Sequence, residues 1–388
     1  MTDPARAAPT ARGAGPALVL AVTLAIQSLV SMAVLAVPSI APAMAARLQV
    51  SPALVGAYVT LVYLGAVFAS MAAGPLVLRH GALRVSQWGL AACAGGLALM
   101  ALLPSAVAVV LGALLVGLGY GPITPASSHL LARSTPAHRA SLVFSLKQTG
   151  VPLGGVLAGA LVPPAVVASG VASALWMVCA GCLACAVVAQ PLRRQLDADR
   201  DAARPAGIAG LGGPLRLVVS HAALRRLAAV SFVFSAVQMC LAAYLVTYLS
   251  TSLAMPLVAA GATLAAAQVG GVVGRVLWGW IADRWVPPSR MLALLGLLMA
   301  ACTSATAALQ TGAPAVLVLA LVVVFGASAT GWNGVYLAEV ARRAPVGQAS
   351  TATGGSLAFT FFGVVLGPLL FAGIAGLADS YRAAYAAL

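Results

Sequence analysis

The chain alternates between long apolar runs and short loops that hold nearly all of its charge. One run, from Ala140 to Leu192, contains a single charged side chain, Lys147. A helix needs about 20 apolar residues to cross the hydrocarbon layer of a bilayer, so runs of this kind can be satisfied only in lipid. Composition agrees. Only 7% of residues are charged and 62% are apolar, whereas a soluble domain carries about a quarter charged residues. The fold class expected is an all-α integral membrane protein, and 388 residues leave room for roughly eleven or twelve spans.

Spans are expected at 16–38, 53–78, 85–103, 106–131, 142–165, 170–191, 227–249, 256–281, 290–310, 314–338 and 350–376. Ser51-Pro52 marks the start of the second. Arg6 and Arg12 before the first apolar run imitate a signal peptide, but further spans follow, so the first is read as uncleaved. The loops after even-numbered spans are basic (Arg79, His80 and Arg84; Arg133, His138 and Arg139; Arg284 and Arg290; Arg342 and Arg343), while those after odd ones are nearly neutral, with Arg47 the exception. By the positive-inside rule the N-terminus and central linker are expected in the cytoplasm and the C-terminus in the periplasm, in a cell inner membrane. The net charge of +14 is scattered over these loops, which argues against a nucleic-acid partner. The six cysteines lie in apolar runs. Three of them, Cys179, Cys182 and Cys185, share a spacing of three, but no polar neighbours would support a metal. No cofactor is expected, and the bilayer itself is the one extended partner.

The chain also repeats itself. Ala132-Arg133-Ser134-Thr135-Pro136-Ala137-His138-Arg139-Ala140-Ser141 matches Ala341-Arg342-Arg343-Ala344-Pro345-Val346-Gly347-Gln348-Ala349-Ser350, each residue 209 positions after its partner. A second pair of loops aligns Gly74 with Gly279 and Arg79 with Arg284. The expected domains are a tail (1–15), a six-helix bundle (16–192), a cytoplasmic linker (193–226) with an amphipathic surface helix near 215–224, and a second bundle (227–388). Parallel six-helix repeats are one transporter layout. The repeat places a twelfth span at 379–400, beyond Leu388, so eleven full spans and a stub are expected in an apparently truncated second half.

These features resemble the major facilitator superfamily over essentially the whole chain. Its loop signature of Gly, three residues and Asp-Arg is matched by Gly279, Asp283 and Arg284. The first-half copy, Gly74, Arg79, Gly81 and Arg84, has Leu78 where the Asp stands. Gly117, Gly119 and Gly121-Pro122 resemble the superfamily's fourth-helix motif, with Ala113 in place of its arginine. Gly150-Val151-Pro152-Leu153-Gly154-Gly155 and Gly363-Val364-Val365-Leu366-Gly367-Pro368 resemble its glycine-proline motif. The resemblance implies two halves rocking about a central site, with Asp283, Arg284, Gly279, Arg79, Gly74 and Arg84 as gating residues. Because Leu78 supplies no anion, the latch is expected to be one-sided. Gly150, Pro152, Gly154, Gly363, Gly367 and Pro368 are hinges or, equally, close-packing points.

A charge near mid-membrane costs about 2.5–3.5 kcal/mol and usually has a function. Arg275 is the first candidate. Four residues before Gly279, it resembles the eighth-helix arginine that binds substrate carboxylate in monocarboxylate and oxalate/formate carriers. Its alternative is a structural ion pair with a partner such as Glu339. Lys147, the sole lysine, can line the cavity or snorkel to the cytoplasm. Gln27, Gln238, Gln268, Tyr120, Trp332, Asn333 and Tyr336 are candidate cavity linings. His129 is a loop-proximal polar residue or a proton relay. No acidic residue falls in mid-membrane, which favours a small organic anion as substrate, with protons as the possible coupling partner. The alternatives are a drug or metabolite exporter and an inactive remnant. No nucleophile–base set or phosphate loop suggests an enzyme, and nothing suggests an oligomer, so a monomer is expected.

Overall fold

The computed structural model describes residues 15–49, 55–203, 212–255 and 257–388. Most of the expected tail, the Ser51-Pro52 start signal and the middle of the linker lie outside them. The helices are α1 (Pro16–Ser39), α2 (Ala41–Leu48), α3 (Val55–His80), α4 (Ala82–Leu102), α5 (Ala106–Tyr120), α6 (Ile123–Ser134), α7 (Ala140–Gln148), α8 (Gly150–Ala189), α9 (Arg193–Leu196), α10 (Gly212–Ser220), α11 (Ala222–Ser252), α12 (Leu257–Arg284), α13 (Pro288–Ala308), α14 (Ala315–Gly331), α15 (Asn333–Arg343), α16 (Ala349–Leu377) and α17 (Tyr381–Ala386). Among the described residues, ten helical stretches are long and apolar enough to cross a membrane. Helix is what lipid demands, because every backbone N–H and C=O must find its partner within the segment.

The longest stretch, Ala137–Leu196, is two passes. Gly170 breaks it with φ 85° and ψ 167°, and the chain reverses there. Gly154 on one side of the turn packs on Ser28 and Ser31 of α1, and Cys182 on the other side reaches the Leu29 carbonyl of the same helix. Three expected spans are interrupted. The fourth is split between α5 and α6 at Gly121–Pro122, where Pro122 lacks an N–H for the helical ladder and its ring crowds the preceding turn. The fifth is split at Thr149, between α7 and α8. The tenth is split at Trp332. This last break has no proline, but it falls at the position in the repeat that corresponds to the first.

α8 rests on α1, and α16 rests on α11, in matching fashion. A Cβ at Gly150 or Gly154 would meet α1, and one at Gly363 or Gly367 would meet Phe232, Ser235 or Ala236 of α11. These glycines are close-approach points between helices, and α16 continues through Pro368. Contacts between the halves gather toward the face that carries the basic loops. They are made by α6, α7 and α15, by the adjoining portions of α3, α12 and α16 and by Tyr120 at the end of α5, whereas the rest of α5 and α14 pack mainly within their own half. The structure is therefore closed on its basic face.

The linker is not loose where it is described. Asp197 accepts the Leu83 and Arg84 amides at 2.7 and 3.1 Å, and the Asp201 amide donates to the Leu78 carbonyl at 2.9 Å. The helix expected near 215–224 is found at Gly212–Ser220. α10 buries Pro214 and Val218 against Gly355 of α16, because its apolar side finds a helix before it finds lipid.

At Gly170 nothing crowds a Cβ, so the cost of Gly170→Ala is purely conformational, about 1–3 kcal/mol. Gly159 has equally open surroundings but helical backbone, and Gly159→Ala should be neutral or stabilise by up to about 1 kcal/mol. Thermal unfolding of the purified variants in detergent should lower the midpoint for the first and not for the second.

Candidate functional site

Two buried cations meet between the halves, at the level where helices are interrupted. Lys147, on the last turn of α7, is 1% exposed. Its Nζ donates to the side-chain oxygens of Gln27 at 2.7 Å, Gln148 at 3.0 Å and Thr124 at 3.3 Å. Gln27 is itself fixed by donating to Ser31 at 3.2 Å. Arg275, on α12 of the other half, is 5% exposed. Its Nε donates to the Thr330 carbonyl at 2.9 Å, and its Nη1 crosses to the Gln148 carbonyl at 2.5 Å. That second acceptor exists for a reason legible in the chain. The residue four beyond Gln148 is Pro152, which has no N–H to give, so the Gln148 carbonyl lacks its helical donor. Gln148 thus serves both cations, one with its side chain and one with its main chain.

Among the described residues, neither cation has a carboxylate partner. Among the described acids, Asp197 caps α4, Asp199 binds His129 and Arg133, and Asp283 binds α7. Glu339, the expected partner of Arg275, instead pairs with Arg342 and Arg343. Those arginines lie three and four residues along the same helix, well within its reach. Lys147 does not snorkel either, because three oxygens at its own depth hold it.

The other expected linings fall into two groups. Gln238 accepts from Trp332 Nε1 at 3.2 Å and Asn333 Nδ2 at 3.3 Å. Trp332 stacks edge-on with Tyr336 at 5.2 Å, so these four form one cluster within the second half. Tyr120 packs instead with Tyr63 and, across the halves, with Phe361, both at 6.3 Å. Gln268 is exposed and lies two turns from Arg275 on the same side of α12. Sequence reasoning did not place Gln148, Thr124 or Thr330 in the site. The signal for Gln148 was Pro152 four residues on.

At the basic face, the Asp283 carboxylate accepts the amides of Ser141 at 3.0 Å and Leu142 at 2.8 Å. It satisfies two orphan donors at the start of α7, in the opposite half. Gly279 makes room for Ser141 and Ser145 of α7, and Gly74 does the same for Thr351 of α16. The Arg284 guanidinium lies over the Trp280 ring at 5.4 Å. Arg84 contributes its main-chain amide to Asp197, and Arg79 lies two residues before Gly81 at the same corner. A cavity of about 340 Å³ between the halves is lined by Ser141, Ala282, Asp283, Ala338 and Arg342 among others.

His129 binds Asp199 of the linker at 2.6 Å, and Arg133 reaches the other carboxylate oxygen at 2.5 Å.

The family model of the Major Facilitator Superfamily matches residues 21–387. The chain belongs to this superfamily. Its fold is shared with solved members. The transporter FucP in its outward conformation is 16% identical with a TM-score of 0.77, covering 95% of this chain and 94% of that one. The human organic anion transporter MFSD10 is 16% identical with a TM-score of 0.75, covering 96% of each chain. The proton:xylose symporter XylE is 14% identical with a TM-score of 0.69, covering 96% and 92%. No curated protein sequence matches the chain. The superfamily is one of transporters, and its Gly-x3-Asp-Arg loop is here the segment that closes on α7.

Partial burial pushes the Asp199 carboxyl up, but the His129 hydrogen bond and the charges of His129 and Arg133 outweigh it and hold the group below the ordinary carboxylate range. Its stabilisation is therefore complete above the unfolded value of about 3.9 and is lost as pH falls through the lower native value. Asp199→Asn should lower the thermal midpoint at pH 7, and the penalty should shrink to nothing on strong acidification. Thermal unfolding followed over a pH series checks this.

Proposed function

We propose that this superfamily member is a secondary active transporter that moves a small organic anion, coupled to protons, by alternating access across the inner membrane. It works as a monomer with its basic face in the cytoplasm. The observation that carries the reading is the pair of buried, carboxylate-free cations, Lys147 and Arg275, between the halves. Each charge costs about 2.5–3.5 kcal/mol to hold near mid-membrane, and an anionic ligand offsets that cost when it enters. Gln27, Gln148 and Thr124 orient Lys147, while Gln268, Tyr120 and the Gln238, Trp332, Asn333 and Tyr336 cluster shape the rest of the cavity. The proton as coupling ion is supported by solved neighbours described as fucose:proton and proton:xylose symporters. An organic anion transporter is among the neighbours as well. Drug export is less well supported, since Glu339, the buried carboxylate of the second half, is already committed to two arginines.

With the basic face inside, the closed structure is the outward-open state. Asp283 on the α7 N-terminus is then the latch, with Gly279 and Gly74 allowing the halves to close and Arg79, Arg84 and Arg284 bordering the seam. Gly150, Pro152, Gly154, Gly363, Gly367 and Pro368 lie on the paired contacts of α8 with α1 and of α16 with α11, within each half, that adjust as the halves rock.

Proteoliposomes should take up small carboxylates in response to an inward proton gradient. Lys147→Gln and Arg275→Gln should each reduce that uptake at least about tenfold while remaining monodisperse. Undiminished uptake in both variants would overturn the site. Asp283→Ala removes a cap worth about 0.5–2 kcal/mol, so the inward-open population should rise roughly two- to thirty-fold. The labelling rate of a cysteine introduced at Ala338 measures it.

A further inference from the structure

We infer that the substrate is a short dicarboxylate rather than a monocarboxylate, an inference that rests on the anion-binding reading above. Lys147 and Arg275 both donate to one residue, Gln148, through its two different oxygens. The ammonium takes the side-chain oxygen at 3.0 Å and the guanidinium takes the main-chain oxygen at 2.5 Å. Gln148 therefore serves each cation with a separate oxygen, and both of those oxygens are neutral. Their remaining partners, Gln27, Thr124 and the Thr330 carbonyl, are neutral too. Asp197, Asp199, Asp283 and Glu339 are placed elsewhere, as helix caps or in pairs with other basic residues.

A ligand that replaces Gln148 on both sides must supply an acceptor to each cation. A single carboxylate presents its two oxygens on one carbon. It can satisfy one cation in full and leaves the other buried with neutral partners alone. A phosphate monoester concentrates its charge at one point in the same way. Two carboxylates on a short carbon chain supply one anionic group to each of the two cations that Gln148 now serves. Charge balance points the same way. Each buried positive charge carries its own desolvation cost, and a dianion offsets both. The substrate would release Arg275 from Gln148 as it binds, so occupancy and the strut between the halves are alternatives.

The test compares acids of equal carbon number on the purified full-length protein: malonate with propionate, succinate with butyrate and glutarate with valerate. Binding is read as dose-dependent thermal stabilisation and as counterflow in proteoliposomes. In the wild type, one dicarboxylate should bind at least about tenfold more tightly than its monocarboxylate counterpart, the ratio expected when one extra close charge pair forms. In Lys147→Gln the ratio should fall to within about twofold. Equal binding of the paired acids by the wild type overturns the inference and leaves the anion reading standing, whether or not the variant folds. So does a preference that survives in Lys147→Gln. Stabilisation by a neutral sugar with no response to any acid overturns both.

Discussion

Arg275 is held in a low-dielectric interior by two main-chain oxygens, and much of the molecule is arranged so that those oxygens are free to accept. A helix normally consumes its own carbonyls. Here Pro152 withholds the donor that Gln148 would use, and the break at Trp332 brings the Thr330 carbonyl to the end of α14. A guanidinium can bridge two acceptors because its donors are fixed in a fork. It thereby joins the halves at mid-depth without a counter-charge. Such a bond is electrostatically strong in poor solvent, yet it commits no anion and can be exchanged for one.

The two halves use the same backbone differently. Asp283 neutralises the start of α7, while its counterpart position in the first half holds Leu78. Asp197, from the linker, instead caps α4 beside that corner. The first half has thus acquired an internal clamp where the second half supplies a contact across the seam. With seven acidic residues in the whole chain, each placement excludes another. Asp197 bears the cost of that position: burial pushes its carboxyl above the ordinary range, although the Leu83 and Arg84 amides and Arg193 pull against it.

The architecture was legible because lipid reduces the choices. Span positions follow from apolar length, and the duplication is written in loop residues that face water. Asp283 stood out in the sequence as the acid of the loop signature, but the α7 amides that it binds did not. What the sequence did not show depends on close approach. Lys147 reads as a snorkelling residue until Gln27 and Thr124, from two other helices, are known to face it. Glu339 reads as a partner for Arg275 until its own neighbours on the helix are seen to reach it first. α10 reads as a surface helix because hydrophobic periodicity cannot tell lipid from Gly355. The interruptions at Thr149 and Gly121–Pro122 were signalled by proline, but apolar length alone reads straight through them.

The clamp formed by Asp197, Asp199 and Asp201 has a consequence for how the molecule is divided. Everything described up to residue 203 is fastened to the first half, through α4, α6 and the end of α3. α10, in contrast, lies against α16 and belongs with the second. The boundary between the two folding units is therefore narrower than the hydrophilic stretch that announces it. A chain severed within 204–211 would leave each fragment with its own fastenings intact, as two polypeptides that meet again at the seam beside Asp283.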